Sequence, residues 1–273
     1  MQMFGKLKLF AKVILIMVLL TSVNFFAQKD MAEKKDTINW NSIRFGKYII
    51  HYTDADAGIF MSIKTDIDKG ISKIEDYFGK KYPKIFDVYV YPKREAMDRA
   101  WQKAWGIPGF KSECWMVASG VADKLDILSP SVWKTEACEH NAADKTATGD
   151  LITHELVHVY QGQVNPNFAE MDDTGWFIEG LAVFVSGQLT NERISSAVKA
   201  IKRGEYPGQL KNAWSGDNKY GISGLMVSYI NSKYGKDKII ELLKQSSQKG
   251  ILAELGVNEE KFISDWKNWA IKQ

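Results

Sequence analysis

The chain has 273 residues, 45% of them hydrophobic, with 36 Lys and Arg against 33 Asp and Glu. That is enough apolar material for a large domain with its own core. A near-balanced charge without a basic stripe excludes nucleic acid as a partner, and two cysteines are too few for a disulfide-built scaffold.

At the start of the chain, Lys6, Lys8 and Lys12 precede the apolar run Val13 to Leu20, and a small residue stands at Ala27. Residues 1–27 are therefore expected to be a secretory signal peptide. The run falls short of the roughly 20 residues a spanning helix needs, so no stable membrane span is expected after its removal. The signal holds three basic residues and no acid, which leaves the rest of the chain formally neutral. Export places the chain outside the cell or in the periplasm. There Cys114 and Cys138 can form a disulfide, the alternative being two small buried thiols. Residues 28–40 read as a charged, flexible segment.

Residues 41–53 have β character, and Asp54 or Asp56 can cap a helix after them. Ile59, Ile63, Ile67, Ile71, Ile74 and Phe78 recur at helical spacing and predict its buried face, with Gly79 as its end. IFDVYVYP (85–92) predicts a strand stopped by Pro92, and residues 93–106 predict a second amphipathic helix. Residues 113–129 read as extended segments with turns near Ser119-Gly120 and Asp123-Lys124. A polar, irregular stretch follows, and from residue 149 onward the pattern is helical. The expected class is α+β: one domain over 41–273, with a lobe holding a small twisted sheet (41–163) and a helical lobe (164–273).

LITHELVHVYQGQ (151–163) carries His154 and His158 four residues apart, so both imidazoles lie on one helix face. Glu155 is turned by about 100° from His154, beside an ion that the histidines would share, where a general base belongs. The apolar neighbours Leu151, Ile152, Leu156, Val157 and Val159 predict burial, and buried histidines need partners. A third ligand must come from elsewhere in the chain. The positions seven and ten residues after His154 are Gln161 and Val164, which excludes the metzincin pattern. His51 and His140 are the remaining histidines. In TGWFIEGLAVFVSGQ (174–188), Glu179 is a lone carboxylate in an apolar helix and would need a cation. Glu179 is the favoured third ligand, with Asp172, Asp173 and His140 as substitutes. Gly180 and Ala182 are small enough to let the two helices approach, and Asp172, Asp173 or Thr174 can cap the second.

H-E-L-V-H followed 21 residues later by the Glu of W-F-I-E-G-L-A resembles the gluzincin metallopeptidases, and more narrowly the peptidase MA-like group. The resemblance is carried by residues 150–188 and more weakly by YGISGLMVSYINSKYG (220–235) and the C-terminal helix. It implies a zincin-like fold with the active-site helix between the lobes. It also implies one Zn²⁺ held by His154, His158 and Glu179 with water as fourth ligand, and Glu155 as base. LDIL (125–128) would be the cleft-lining edge strand, binding a peptide or protein substrate in extended form. Tyr206, Tyr220, Tyr229 and Tyr234 are candidates for the donor that stabilises the oxyanion, and Tyr220 resembles the tyrosine at this position in aminopeptidase N-like enzymes. SGVADKLDILSP lacks the Glu with which those enzymes grip a free amine, which favours an endopeptidase. The other readings are a catalytically idle zincin used as a binding module and a zinc amidase acting on a non-protein substrate. The sequence sets no oligomeric state.

Overall fold

Five strands form one sheet in the order β1-β2-β3-β5-β4 in a computed structural model that describes residues 38–165, 167 and 173–273. The expected signal peptide, residues 28–37 of the charged segment, and Asp172 lie outside the described residues. β1 (Asn41–Phe45) and β2 (Tyr48–Tyr52) are an antiparallel hairpin, closed over Gly46 at φ 45°, a conformation that costs glycine nothing. β2 runs parallel to β3 (Phe86–Tyr91), and β3 runs parallel to β5 (Lys124–Leu128). Parallel neighbours need a crossover, and the crossovers carry α1 (Phe60–Phe78) and α2 (Arg94–Trp105). β4 (Ala118–Val121) pairs antiparallel with β5 and forms one edge.

This order corrects one expectation. LDIL lies inside the sheet, flanked by β3 and β4, and the edge on that side is β4. Ser119-Gly120 accordingly sits within a strand, and the turn falls at Ala122 and Asp123. An alternating run buries one side chain in two on each face. In β3 this sends Phe86, Val88 and Val90 into the larger core, while Tyr91 joins Met97, Trp101 and Trp133 in a smaller core. Trp40, the end of the supposed flexible segment, packs edge-on against Tyr89 and Tyr91 there, with ring centroids 5.4 and 5.5 Å away.

α1 buries Ile63, Ile67, Ile74 and Phe78, and Gly79 ends it at φ 66°. Its start differs from expectation. Asp54–Asp56 form a short 3₁₀ turn led by Thr53, and buried Asp56 accepts from the Ser129 hydroxyl. The polar stretch before residue 149 holds a short helix, α3 (Trp133–Glu136), and the first turn of α4 (Lys145–Val164), capped by Asp144 accepting from Ala147 N–H. After α4 come α5 (Gly175–Ser186), α6 (Asn191–Lys202), α7 (Lys219–Tyr234), α8 (Lys236–Leu242), α9 (Gln248–Leu255) and α10 (Glu259–Ala270). A small sheet followed by helices agrees with the α+β class. No helix among the described residues is long and apolar enough to cross a membrane.

α4 is the centre of the fold and is buried along most of its length. It packs against α1, α5 and β4. Two glycines permit the tightest approaches. A Cβ on Gly120 would lie 2.0 Å from the Glu155 carbonyl oxygen, so β4 rides directly on α4. A Cβ on Gly180 would lie 2.4 Å from the Ser223 carbonyl oxygen. Gly180 thus seats α5 against α7 rather than against α4, contrary to its expected use.

Cys114 and Cys138 are joined in a disulfide, and Cys138 N–H donates to the Cys114 carbonyl at 3.2 Å. The Arg94 guanidinium donates to the carbonyls of Glu113, Cys114, Met116 and Glu136. Bridge and guanidinium together hold the segment entering β4 against the loop after α3.

Candidate metal centre

One turn of α4 separates His154 from His158 and stacks their rings edge-on with centroids 4.8 Å apart. α5 runs alongside and delivers Glu179. The Nε2 atoms of the two histidines are 3.2 Å apart. Glu179 Oε2 stands 3.3 Å from Nε2 of His154 and 3.6 Å from Nε2 of His158. Both histidines are buried, and the Glu179 side chain is 26% exposed. Two imidazole nitrogens and a carboxylate oxygen so placed could hold one metal ion.

The described substitute ligands, Asp173 and His140, are engaged elsewhere. Asp173 accepts from Gln248 N–H. The His140 Nε2 meets the Trp115 carbonyl at 2.9 Å. His51 lies on β2 between Ser42 and Asp87. Thr174 occupies the N-cap position of α5.

Sequence reasoning used Gln161 only to exclude a motif, yet it orients the centre. Its Nε2 donates to the Ile178 carbonyl at 3.1 Å, so its Oε1 is left facing His158 Nδ1 at 2.8 Å. An amide oxygen can only accept, so Nδ1 carries a hydrogen and Nε2 is the nitrogen turned toward Glu179 and His154, able to donate to the carboxylate when the ring is charged and to offer a lone pair to an ion when it is not. The signal was legible as a polar side chain one turn after His158, inside an apolar helix. Gln161→Ala is expected to weaken metal binding about 10–100-fold while leaving one site per chain. Competition against a chromogenic chelator checks this, and an unchanged affinity would remove Gln161 from that role.

Burial on its own would lower the His158 pKa. The Glu179 carboxylate outweighs that, and with Glu155 and Gln161 it raises the imidazole to about 9. Burial would raise the Glu179 pKa, but His158 and His154 hold it well below the ordinary carboxylate range. The sign of the linkage follows. The raised histidine stabilises the ion-free fold fully below its ordinary value of 6.5, and this is lost as pH climbs through about 9. The lowered carboxylate contributes above its ordinary 4.5 and loses its effect on acidification. Chelator-treated protein is therefore expected to lose Tm between pH 6.5 and 9.5, by more than a Glu179→Gln variant does. Parallel slopes in the two proteins would refute the coupling.

Glu155 projects beside the three donors, and its Oε2 accepts from Gly120 N–H on edge strand β4 at 2.7 Å. Tyr220, at the start of α7, has its ring 6.4 Å from that of His154. Its hydroxyl is pushed up to about 12 by burial and by the charges of Glu179 and Glu155, so it stays a donor at neutral pH. The other tyrosines point elsewhere: Tyr229 packs on Phe262 and Trp269, Tyr234 lies beside Tyr229, and Tyr206 meets Lys267.

Two cavities open on Glu155, His154 and Tyr220, of about 220 and 310 Å³. The larger reaches His158, Glu179, Trp105, Trp214 and Lys219. The smaller reaches Glu139, His140, Leu151, Gln188 and Arg193. Trp105 and Trp115 line the larger cavity, while Trp101 and Trp133 are core.

No protein-family model matches the chain. Over 206 residues, 74% of its length, the chain is 24% identical to an uncharacterized protein, YhcO, of Bacillus subtilis (strain 168), and it spans 61% of that protein's length.

Proposed function

We propose that the chain is an exported zinc-dependent metallopeptidase of the gluzincin type, with a zincin-like fold, and that it acts as an endopeptidase. One observation carries the reading: His154, His158 and Glu179 converge on one point while Glu155 stands beside it, anchored to the edge strand. The donor separations of 3.2, 3.3 and 3.6 Å suit a tetrahedron with bonds of about 2.1 Å, whose edges are about 3.4 Å. Nitrogen and carboxylate donors of this kind suit Zn²⁺, and three protein ligands mark a catalytic rather than a structural site. A bound zinc supplies Lewis-acid activation of water at neutral pH.

The chain's own residues then divide the work. Glu155 takes the proton of the attacking water and returns it to the leaving amine. Its bond to Gly120 N–H keeps the carboxylate aimed between helix and strand. Tyr220, protonated and facing the same cavity, donates to the developing oxyanion. β4 is an edge strand, so an extended peptide can pair with it by strand addition, and the two cavities receive side chains on either side of the bond to be cut. The Cys114–Cys138 bridge agrees with an oxidising compartment, as does the signal-like start.

Elemental analysis of the purified chain, paired with digestion of a mixed peptide library with and without chelator, tests this reading. One zinc per chain and chelator-sensitive internal cuts are expected. One zinc per chain with an untouched library would leave an idle binding module or an amidase. The amidase reading is favoured by the aromatic wall of Trp105, Trp115 and Trp214. A chain that takes up no ion would remove both enzymatic readings.

A further inference from the structure

We propose that the smaller cavity receives a carboxylate of the substrate, held by Arg193. This deepens the peptidase reading and rests on it. Arg193 sits on α6, half-buried, at the wall of the cavity that also holds Glu155 and Tyr220. Its Nη1 donates to the Gln188 carbonyl at 3.1 Å and to Gln188 Oε1 at 3.4 Å. Its guanidinium lies over the Tyr220 ring, 5.1 Å from the centroid. Among the described residues no carboxylate comes within ion-pair distance of it, and Nε and Nη2 have no protein partner. A guanidinium braced on one nitrogen and stacked on a ring presents its remaining N–H groups as a rigid fork, the geometry that grips a carboxylate bidentately.

The other charges at the site do not satisfy Arg193. Glu155 is engaged with Gly120, Glu139 is exposed in the loop after the disulfide, and Asp150, outside the cavity lining, feels Lys73 more strongly than Arg193. Lys219, the second cation at the site, is committed to three aromatic rings. Its ammonium lies 5.6 Å from Trp115, 4.9 Å from Trp214 and 5.3 Å from Tyr220. A half-buried, incompletely paired cation beside the reacting bond selects against neutral occupants, which would leave it desolvated and unpaired.

The carboxylate can be an acidic side chain, as internal cleavage requires, or the free C-terminus of the substrate, which would replace the endopeptidase reading with cleavage near chain ends, and one experiment separates them. The full chain is stripped with chelator, so that no ion competes for the ligand and no turnover consumes it. Four acetylated hexapeptides are titrated calorimetrically: one with a central Glu and one with Gln in its place, each as the free acid and as the C-terminal amide. At least about tenfold tighter binding of a carboxylate-bearing peptide over the Gln amide is expected, the scale of a charge-assisted pair. A preference that follows Glu names an acidic side chain, and one that follows the free terminus names the C-terminus. Arg193→Met is expected to bring the ratio near one. Arg193→Lys, which keeps the charge and loses the fork, should retain part of it. Equal affinities for all four peptides, no binding at millimolar concentration, or a ratio that survives Arg193→Met overturns the proposal. Failure of the peptidase reading registers separately, as zinc-loaded wild-type protein that cuts none of the four, and leaves the binding ratio readable.

Discussion

Replacing Glu155 with Gln is expected to lower turnover by about 10²–10⁴-fold, the usual contribution of a positioned general base, while the protein keeps its metal and its fold. The amide retains an oxygen that can accept from Gly120 N–H, so the contact at 2.7 Å survives. What is lost is the ability to take a proton. Glu155 stands outside the proposed ligand set, so zinc content on dialysis should match wild type. Single-turnover assays on a peptide identified in the library digest, read beside elemental analysis, give both halves of the result. A variant within a few-fold of wild-type rate would take the base assignment away from Glu155.

Replacing Glu179 with Ala has the opposite signature. Two buried imidazoles would remain, and loss of a ligand should cost more than the roughly 100-fold that loss of a supporting contact can cost. Zinc should leave on dialysis and turnover should fall with it. The same change removes the main group that raises the His158 pKa, so burial then opposes only the weaker effects of Glu155 and Gln161. Zinc retained at one per chain would overturn the ligand set. Asp173, held by Gln248 N–H, and His140, at the Trp115 carbonyl, would then have to move to supply the third donor.

The centre and the cavities have different origins in the chain. The centre is built from three adjacent pieces of regular structure, α4, α5 and β4, and the seating of β4 on α4 depends on Gly120. The cavity walls come from loops and helix starts: Trp115 and His140 from segments tied by the disulfide and Arg94, Arg193 from the beginning of α6, Tyr220 from that of α7. Substitutions at Gly120 should therefore disturb Glu155 first, whereas changes around Arg193 and Lys219 should move selectivity.

The linear sequence was enough for whatever depends on spacing along one element. His154 and His158 share a face because four residues make a turn. Ile63, Ile67, Ile74 and Phe78 form the buried stripe of α1 for the same reason, and FDVYVY divides between two cores because strand side chains alternate. A lone Glu179 in an apolar helix announced a partner through its desolvation cost. Matters set by contacts between distant elements were settled only by folding. Strand order moved the cleft edge from LDIL to β4, since pairing of neighbours in a sheet leaves no trace in either strand's own pattern. Gly180 proved to face Ser223 on α7, Gln161 proved to orient His158, and Arg193 arrived beside Tyr220 because close packing brings together side chains that have no periodic relation in the sequence.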